Sequence, residues 1–115
     1  MINVKLFKKD DIIYGYEMSG HADYRPYGQD IVCAGASILG YTTLNSIIEV
    51  ANIKESSIYY NIIDEEGFMH VLLKDNISNK QLETTQIIFQ TYLIGMKLLK
   101  DSYKDYVSID FEEVD

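Results

Sequence analysis

One cysteine and one histidine lie close together in a segment that could carry nucleophilic chemistry. Cys33 is the only cysteine among the 115 residues, and His21 precedes it by twelve positions. A polar stretch with proline and glycine separates them and predicts a loop. Asp30 is a good N-cap for a helix beginning at Ile31. Cys33 then falls in the first helical turn, where the positive end of the helix dipole favours the nucleophilic thiolate.

The neighbouring charges decide how far that thiol ionises. An ordinary cysteine pKa of about 8.5 leaves only a few per cent thiolate at pH 7, and lowering it by two units takes about 2.7 kcal/mol. A helix end supplies about 0.3–1 kcal/mol, and Asp30 carries the opposing sign. A cation must therefore contribute. His21 is the first candidate, because an imidazolium can also protonate a leaving amine, and Arg25 is the second.

Each of these residues also has a purely structural interpretation. Cys33 fits a small buried hydrophobic residue, His21 fits a turn histidine at a strand end, and Asp30 caps the helix in either case. Ser37 lies one helical turn after the cysteine, where its hydroxyl could donate to a substrate oxygen or bond a preceding carbonyl. His70 lies mid-strand and is interpreted as structural.

Composition narrows the classes of partner and cofactor. Ten basic against 18 acidic residues give a net charge of -8, so phosphate backbones are repelled and direct nucleic-acid binding is not expected. A basic protein or peptide is a more natural partner. Two distant histidines and one cysteine do not provide the three or four ligands of a zinc site. With no glycine-rich phosphate loop either, neither a metal nor another cofactor is predicted.

The sequence also predicts a cytoplasmic, soluble protein. One cysteine cannot form an internal disulfide. Charged residues at 8–11 follow the first apolar residues at once, which is unlike a signal peptide. Segment 87–99 is the longest apolar-looking stretch, but it is too short to span a bilayer and is interrupted by polar residues. No membrane association is therefore expected.

Hydrophobic periodicity predicts one α+β domain over residues 1–115 with the order ββαββαβ, a mixed or antiparallel sheet with two packed helices. The predicted elements are a hairpin with strands at 2–6 and 12–18 around a charged turn at 8–11, a helix from 31 to about 51, strands at 57–63 and 68–73, a helix from 78 to about 100, and a strand at 106–112. Gly67 is expected to supply a positive φ in the turn at 64–67.

Apolar spacing predicts which faces of the helices are packed. The first helix has an apolar stripe at Ile31, Ala34, Ile38, Thr42, Asn45 and Ile48, which Leu39 and Ile47 widen. The second helix has one at Leu82, Thr85, Phe89, Leu93, Met96 and Leu99. Its second strip, Ile87, Ile94 and Leu98, exceeds what one sheet contact requires and suggests a subunit interface.

The segment from 20 to 37 resembles the signature of a known family. Gly20-His21-Ala22 is followed, after a short loop, by GQDIVCAGAS at 28–37. This pattern is similar to the G-H-A and G-x-D-I-V-C-A-A-x-S motifs of the ribosomal-processing cysteine protease family, Prp. The chain length and the predicted element order also resemble that family. One departure is Gly35, where alanine is usual.

The resemblance implies a homodimeric endopeptidase. Such an enzyme removes the N-terminal extension of large-subunit ribosomal protein twenty-seven, cutting after a hydrophobic, Phe-rich segment. By motif position, Cys33 is the nucleophile and His21 its base and acid, while Gly20, Asp30 and Ser37 have supporting roles. The accompanying hypotheses are that amides at the helix start hold the oxyanion and that the loop at 22–29 closes over the peptide.

A non-catalytic binding module is the competing interpretation. A small acidic dimer could dock on ribosomal proteins or assembly factors and leave Cys33 buried. A reactive thiolate titrating well below pH 8.5 would favour the enzyme, and an ordinary or raised thiol pKa would favour the module. An acyl transferase or redox sensor fits less well, because there is no second cysteine to resolve an oxidised one.

Overall fold

The computed structural model describes residues 1–26 and 30–114. Two helices lie on one face of a five-stranded sheet, in the predicted order ββαββαβ. The elements are β1 (Ile2–Lys9), β2 (Ile12–Ser19), α1 (Ile31–Glu49), β3 (Ile58–Ile63), β4 (Phe68–Leu73), α2 (Asn79–Ser102) and β5 (Val107–Glu113). Short 3-10 turns at Glu55–Ser57 and Asp64–Glu66 flank β3.

The sheet is mixed, and its topology brings two distant segments together. The strand order is β3-β4-β2-β1-β5, with β5 parallel to β1 and every other pair antiparallel. Because β2 and β4 are antiparallel neighbours, the end of β2 lies beside the start of β4, with Met18 opposite Met69. The residues after β2 therefore meet the β3–β4 turn at one end of the sheet.

The first hairpin turn is shorter than predicted. Lys8 and Lys9 belong to β1, so the two aspartates that follow form the turn, and Asp10 takes a φ of 56°. The prediction of a four-residue solvated turn was wrong because Lys8 and Lys9 pair with Ile13 and Ile12 of β2, and Lys8 also pairs with β5. The ammonium of Lys8 lies 3.8 Å from the Glu113 carboxylate on that strand.

The face that α1 buries also differs from the prediction. Ile31 and Ile38 are 55% and 63% exposed. Of the predicted stripe only Ile47 is buried, and α1 otherwise buries Val32, Ala36, Gly40, Thr43 and Leu44. Periodicity misassigned the face because α1 is apolar on most sides, so the small residues decide which side approaches the sheet. A Cβ on Gly40 would lie 2.5 Å from the Met18 side chain, so that side chain packs directly against the backbone of α1.

The packed face of α2 is the predicted one, with Thr85, Phe89 and Met96 buried. Its second apolar strip faces outward, since Ile87, Ile94 and Leu98 are 67%, 59% and 64% exposed. Within the described residues, α1 and not segment 87–99 is the helix whose length and composition would allow it to cross a membrane, a criterion that core helices of soluble proteins also meet.

Two core tyrosines differ in hydrogen bonding, so removing their hydroxyls should change the free energy of unfolding in opposite directions. The rings of Tyr16 and Tyr92 lie 4.5 Å apart, and the Tyr16 hydroxyl donates to the Gly40 carbonyl at 2.7 Å. The buried Tyr92 hydroxyl has no partner among the described residues. We expect Tyr16→Phe to lower the free energy of unfolding by about 1 kcal/mol and Tyr92→Phe to raise it by about 1 kcal/mol. Urea denaturation measures both, and the reverse ranking would contradict this account.

Candidate active site

Two cavities meet at His21 and Cys33. The first, of about 290 Å³, is called the apolar cavity; it is lined by Ile2, Met18, Gly20, His21, Cys33, Ala36, Ser37, Tyr41, Asp64, Gly67, Phe68 and Met69. The second, of about 400 Å³, is called the charged cavity; it is lined by His21, Asp23, Arg25, Asp30, Cys33 and Glu65. Because both cavities share the histidine and the cysteine, these two side chains lie on the ridge between them.

The thiol of Cys33 is accessible from this ridge. The residue is half-buried, so a fully buried hydrophobic residue does not describe it. The backbone N–H of Ala22 donates to its Sγ at 3.3 Å. Ala22 follows His21 directly, so the connection between β2 and α1 does bring the two predicted residues to one place.

Asp30 joins the start of α1 to the preceding loop. Its Oδ1 accepts from the N–H groups of Val32 and Cys33, each at 3.0 Å, which confirms the predicted cap. Its Oδ2 accepts from the N–H groups of Tyr24 and Arg25 at 3.0 and 3.4 Å. Burial alone would raise the pKa of this carboxyl, but these donors outweigh burial and hold the pKa below its usual value.

The same bonds change the expected oxyanion site. The N–H groups of Val32 and Cys33 are taken by the Asp30 side chain, and that of Ala34 bonds the Asp30 carbonyl at 3.0 Å. These three amides already have partners, so they do not form the open set of donors that the sequence suggested. The amide directed at Sγ instead comes from Ala22.

The thiol pKa is raised, contrary to what the helix dipole predicted. Burial raises the pKa of Cys33 most, the Ala22 N–H lowers it, and the negative charges of Asp30 and Asp23 raise it further. The helix end does not compensate, because Asp30 accepts the first amides and places a full negative charge beside the sulfur. The resting site therefore holds a neutral thiol at neutral pH.

Replacing Asp30 separates its effect on the thiol pKa from its effect on the stability of the fold. We expect Asp30→Asn to lower the thiol pKa, because the charge that raises it is removed, so alkylation of Cys33 by iodoacetamide at neutral pH becomes faster. We also expect the free energy of unfolding at pH 7 to fall by about 1 kcal/mol, since the N-cap bond persists and the charge-assisted bonds to the loop weaken. Slower alkylation in this variant would contradict the stated cause.

The pH dependence of that stability difference has a definite sign. The pKa of Asp30 is lower in the folded than in the unfolded chain. Its ionised form therefore stabilises the fold above the unfolded pKa of about 3.9, and this contribution is lost as pH falls through the folded value. Urea unfolding of wild type and Asp30→Asn should give converging free energies at strongly acidic pH.

The ring of His21 is held by the β3–β4 turn. Its Nε2 lies 3.1 Å from the main-chain carbonyl of Glu65, and its own carbonyl accepts from the Met1 amino group at 2.7 Å. Gly20, which precedes it, has a φ of 91°, and a Cβ there would lie 2.5 Å from the Met1 carbonyl oxygen. A glycine is therefore required where β2 ends and the histidine begins.

The remaining predicted residues take different positions. Ser37 is exposed and lines the apolar cavity. Arg25 stacks its guanidinium over the Tyr24 ring at 4.6 Å and lines the charged cavity. His70 lies outside both cavities and bonds the Glu17 carboxylate at 3.0 Å, which suits its structural interpretation. Positions 27–29 of the predicted closing loop lie outside the described residues.

Potential metal ligands do not cluster in the described structure. Over residues 1–26 and 30–114 there is no group of three or more His, Cys, Asp or Glu side chains that could hold an ion. The chemistry available at the ridge is that of a thiol, an imidazole, a hydroxyl and main-chain amides.

The chain is similar in sequence to proteins of one known family. The sequence model described as Cysteine protease Prp matches residues 1–108. The chain belongs to the Prp family of cysteine proteases. The ribosomal processing cysteine protease Prp of Staphylococcus aureus is 32% identical over 95 residues, which cover 83% of each chain.

Solved Prp structures share the fold. An S. aureus Prp with a covalently linked product peptide superimposes with a TM-score of 0.82 at 27% identity, covering 97% of this chain and 100% of that one. A second, with a substrate peptide, gives a TM-score of 0.78 at the same identity and coverage. As a Prp-family member the chain is an enzyme, a cysteine peptidase, and the non-catalytic binding module is set aside.

Membership of the Prp family changes the meaning of the thiol pKa. A raised pKa was expected of a binding module, yet this Prp-family chain has one. The thiol pKa therefore does not distinguish the enzyme from the binding module. It describes the resting thiol, whereas a base can remove the thiol proton during attack. Sequence reasoning also missed Tyr41, Asp64 and Glu65 around the site; the one signal in that region was the turn glycine Gly67.

Proposed function

We propose that this enzyme removes the N-terminal extension of large-subunit ribosomal protein twenty-seven, cutting after a hydrophobic, Phe-rich segment. Cys33 is the nucleophile, and His21 is its general base and acid. The observation that supports this assignment is the meeting of both side chains on the ridge between two cavities, where an extended peptide can lie with one side chain on each side. A basic ribosomal protein also suits a chain of net charge -8.

The neutral resting thiol determines the order of proton transfers. His21 takes the thiol proton as Sγ attacks the scissile carbonyl, forming the C–S bond and a tetrahedral oxyanion. The imidazolium then protonates the amine nitrogen as the C–N bond breaks, leaving a thioester on Cys33. Water, deprotonated by His21, attacks the thioester; the C–S bond breaks, and the thiolate regains the proton from the imidazolium. The carboxylic acid product leaves and releases its proton to solvent.

Two groups of the site can stabilise the oxyanion. The Ala22 N–H already points at Sγ from 3.3 Å, so it lies near the carbonyl carbon that bonds this sulfur. The hydroxyl of Ser37, one turn further along α1 on the rim of the apolar cavity, is the second donor. We assign Asp30 a supporting role, because its carboxylate fixes the loop that carries Ala22 to the helix that carries Cys33.

The two cavities suit opposite sides of the scissile bond. The apolar cavity has Met18, Phe68 and Met69 in its wall and takes the apolar residue that precedes the cut. The charged cavity contains Asp23, Glu65 and other charged groups and takes the polar, basic side that follows it. Specificity then comes from which side chain can be buried next to the thiol.

We also propose a cytoplasmic homodimer. The outer surface of the helices carries exposed Ile38 on α1 and exposed Ile87, Ile94 and Leu98 on α2. A second copy of the chain covering this strip would remove apolar surface from water. Sedimentation velocity should show a dimer for the wild type and a monomer for Ile94→Lys; a monomeric wild type would contradict the proposal.

Cleavage of a ribosomal-protein-twenty-seven precursor peptide tests the function. Wild-type enzyme should release the N-terminal extension as one product, identified by mass spectrometry. A peptide with aspartate in place of the apolar residue before the cut should be cleaved at least about tenfold more slowly, since a carboxylate would be buried in the apolar cavity. Equal rates for the two peptides, or cutting at another bond, would contradict the substrate assignment.

A further inference from the structure

The β3–β4 turn makes a direct contact with the ring of His21, although 44 positions separate them in the chain. The contact joins the histidine Nε2 to the main-chain carbonyl oxygen of Glu65 at 3.1 Å. A carbonyl oxygen only accepts hydrogen bonds, so Nε2 must carry the proton. In the neutral ring, Nδ1 then holds the lone pair that can take up a proton.

This contact can persist in the charged as well as the neutral ring. When Nδ1 gains a proton, Nε2 keeps its N–H bond to the same carbonyl, whose negative dipole end now faces a positive ring. The turn therefore selects one tautomer of the neutral ring. An orienting acceptor behind a catalytic imidazole is the third member of the nucleophile–base–orienter arrangement.

The turn is fixed on both sides of Glu65. Before it, the Asp64 Oδ1 accepts from the Tyr41 hydroxyl at 2.7 Å, which ties the turn to α1 about two turns beyond Cys33. After it, Gly67 has a φ of 62°, and a Cβ there would lie 2.3 Å from the Gly20 carbonyl oxygen and 3.2 Å from the His21 ring. A larger residue at this glycine would push the turn away from the histidine.

We propose that the turn at 64–67 is the orienting element of the catalytic pair: the Glu65 main-chain carbonyl sets the tautomer of His21, and Tyr41 and Asp64 hold that carbonyl in place. Tyr41 and Asp64 are thus positioning residues, acting through the turn on the histidine. This inference rests on the proposed function, in which His21 transfers protons to and from Cys33.

The test compares matched tyrosine variants. Tyr41→Phe removes the hydroxyl that holds the turn, and Tyr60→Phe removes a similar exposed bond, from its hydroxyl to Glu55 at 2.9 Å, away from both cavities. Nitrogen-15 NMR of the His21 ring in the resting enzyme should show a protonated Nε2 and an unprotonated Nδ1 in the wild type and Tyr60→Phe. In Tyr41→Phe we expect a mixture of tautomers and roughly a tenfold lower kcat with KM little changed.

Two further variants separate the effect of the Glu65 main-chain carbonyl from that of the Glu65 carboxylate. Glu65→Ala removes the carboxylate but keeps the main-chain carbonyl, so the Nε2–H tautomer should persist. Gly67→Ala should lose the Nε2–H tautomer, because the added Cβ displaces the turn. If Gly67→Ala does not fold, Tyr41→Phe still supplies the test. A wild-type ring protonated on Nδ1 alone, or a Tyr41→Phe variant with unchanged tautomer and kcat, would overturn the proposal. Because NMR needs no substrate, it tests the turn even if the precursor peptide is not cleaved.

Discussion

Replacing Cys33 by alanine is expected to lower kcat/KM for the precursor peptide by at least about four orders of magnitude, to the uncatalysed background. In the proposed mechanism the sulfur forms the bond that splits peptide hydrolysis into two easier steps, and no neighbouring group described in the structure can replace it. Ser37 lies on the same helix, but a hydroxyl is a far weaker nucleophile than a thiol. The measurement is product release, followed by chromatography over long incubations.

Cys33→Ser provides the matched control for folding. Serine keeps the shape of the side chain and can accept the Ala22 N–H bond, so thermal unfolding should stay close to that of wild type. Its activity should nevertheless be lost, because a hydroxyl ionises far less readily than a thiol. Cleavage by Cys33→Ala at even a tenth of the wild-type rate would exclude Cys33 as the nucleophile.

Replacing His21 by alanine is expected to lower kcat by about 10²–10⁴-fold, the range of a single general acid–base group. The resting thiol is neutral because burial and Asp30 raise its pKa, so attack requires a base at the moment of bond formation. The remaining activity should rise with pH as hydroxide replaces the base. Added imidazole should restore part of the rate, which a purely structural loss would not allow.

The second histidine of the chain gives the control for this prediction. His70 pairs with Glu17 at 3.0 Å on the far side of the sheet from the helices and reaches neither cavity. His70→Ala should therefore keep kcat near the wild-type value and change only stability. Similar losses of kcat in His21→Ala and His70→Ala, without imidazole rescue, would contradict a proton-transfer role for His21.

Element order and most boundaries could be predicted from local sequence patterns. Alternating residues defined the strands, and Asp30 and Ser78 marked the helix starts through their capping bonds, both present in the structure. Two features depended on contacts that local patterns do not contain. Lys8 and Lys9 join β1 because they pair with β2, and Lys8 also pairs with β5. Helix α1 turns Gly40 to the sheet because Met18 and Met69 fill that space.

The candidate site was predictable only in part, because it too depends on contacts between residues distant in sequence. The spacing of His21, Asp30 and Cys33 around a helix start indicated nucleophilic chemistry, and the structure brings these residues together. The raised thiol pKa did not follow, because burial of the sulfur is its largest cause, and Asp30 both raises the pKa further and occupies the helix amides. The contact between His21 and Glu65 depends on β2 and β4 being neighbours, which no local pattern reveals.

Covalent labelling of the wild-type enzyme tests most directly whether Cys33 is the nucleophile beside the scissile bond, because its sulfur displaces chloride from a reagent bound as the substrate is. The reagent is the Phe-rich segment that precedes the cut, carrying a chloromethyl ketone at its C-terminal carbonyl. We expect one equivalent of the reagent to attach to Cys33, as located by peptide mapping. Cleavage activity should fall in proportion to the labelling, and unmodified precursor peptide should slow the labelling. Full loss of cleavage with Cys33 unlabelled, or full labelling of Cys33 with cleavage unchanged, would contradict the account.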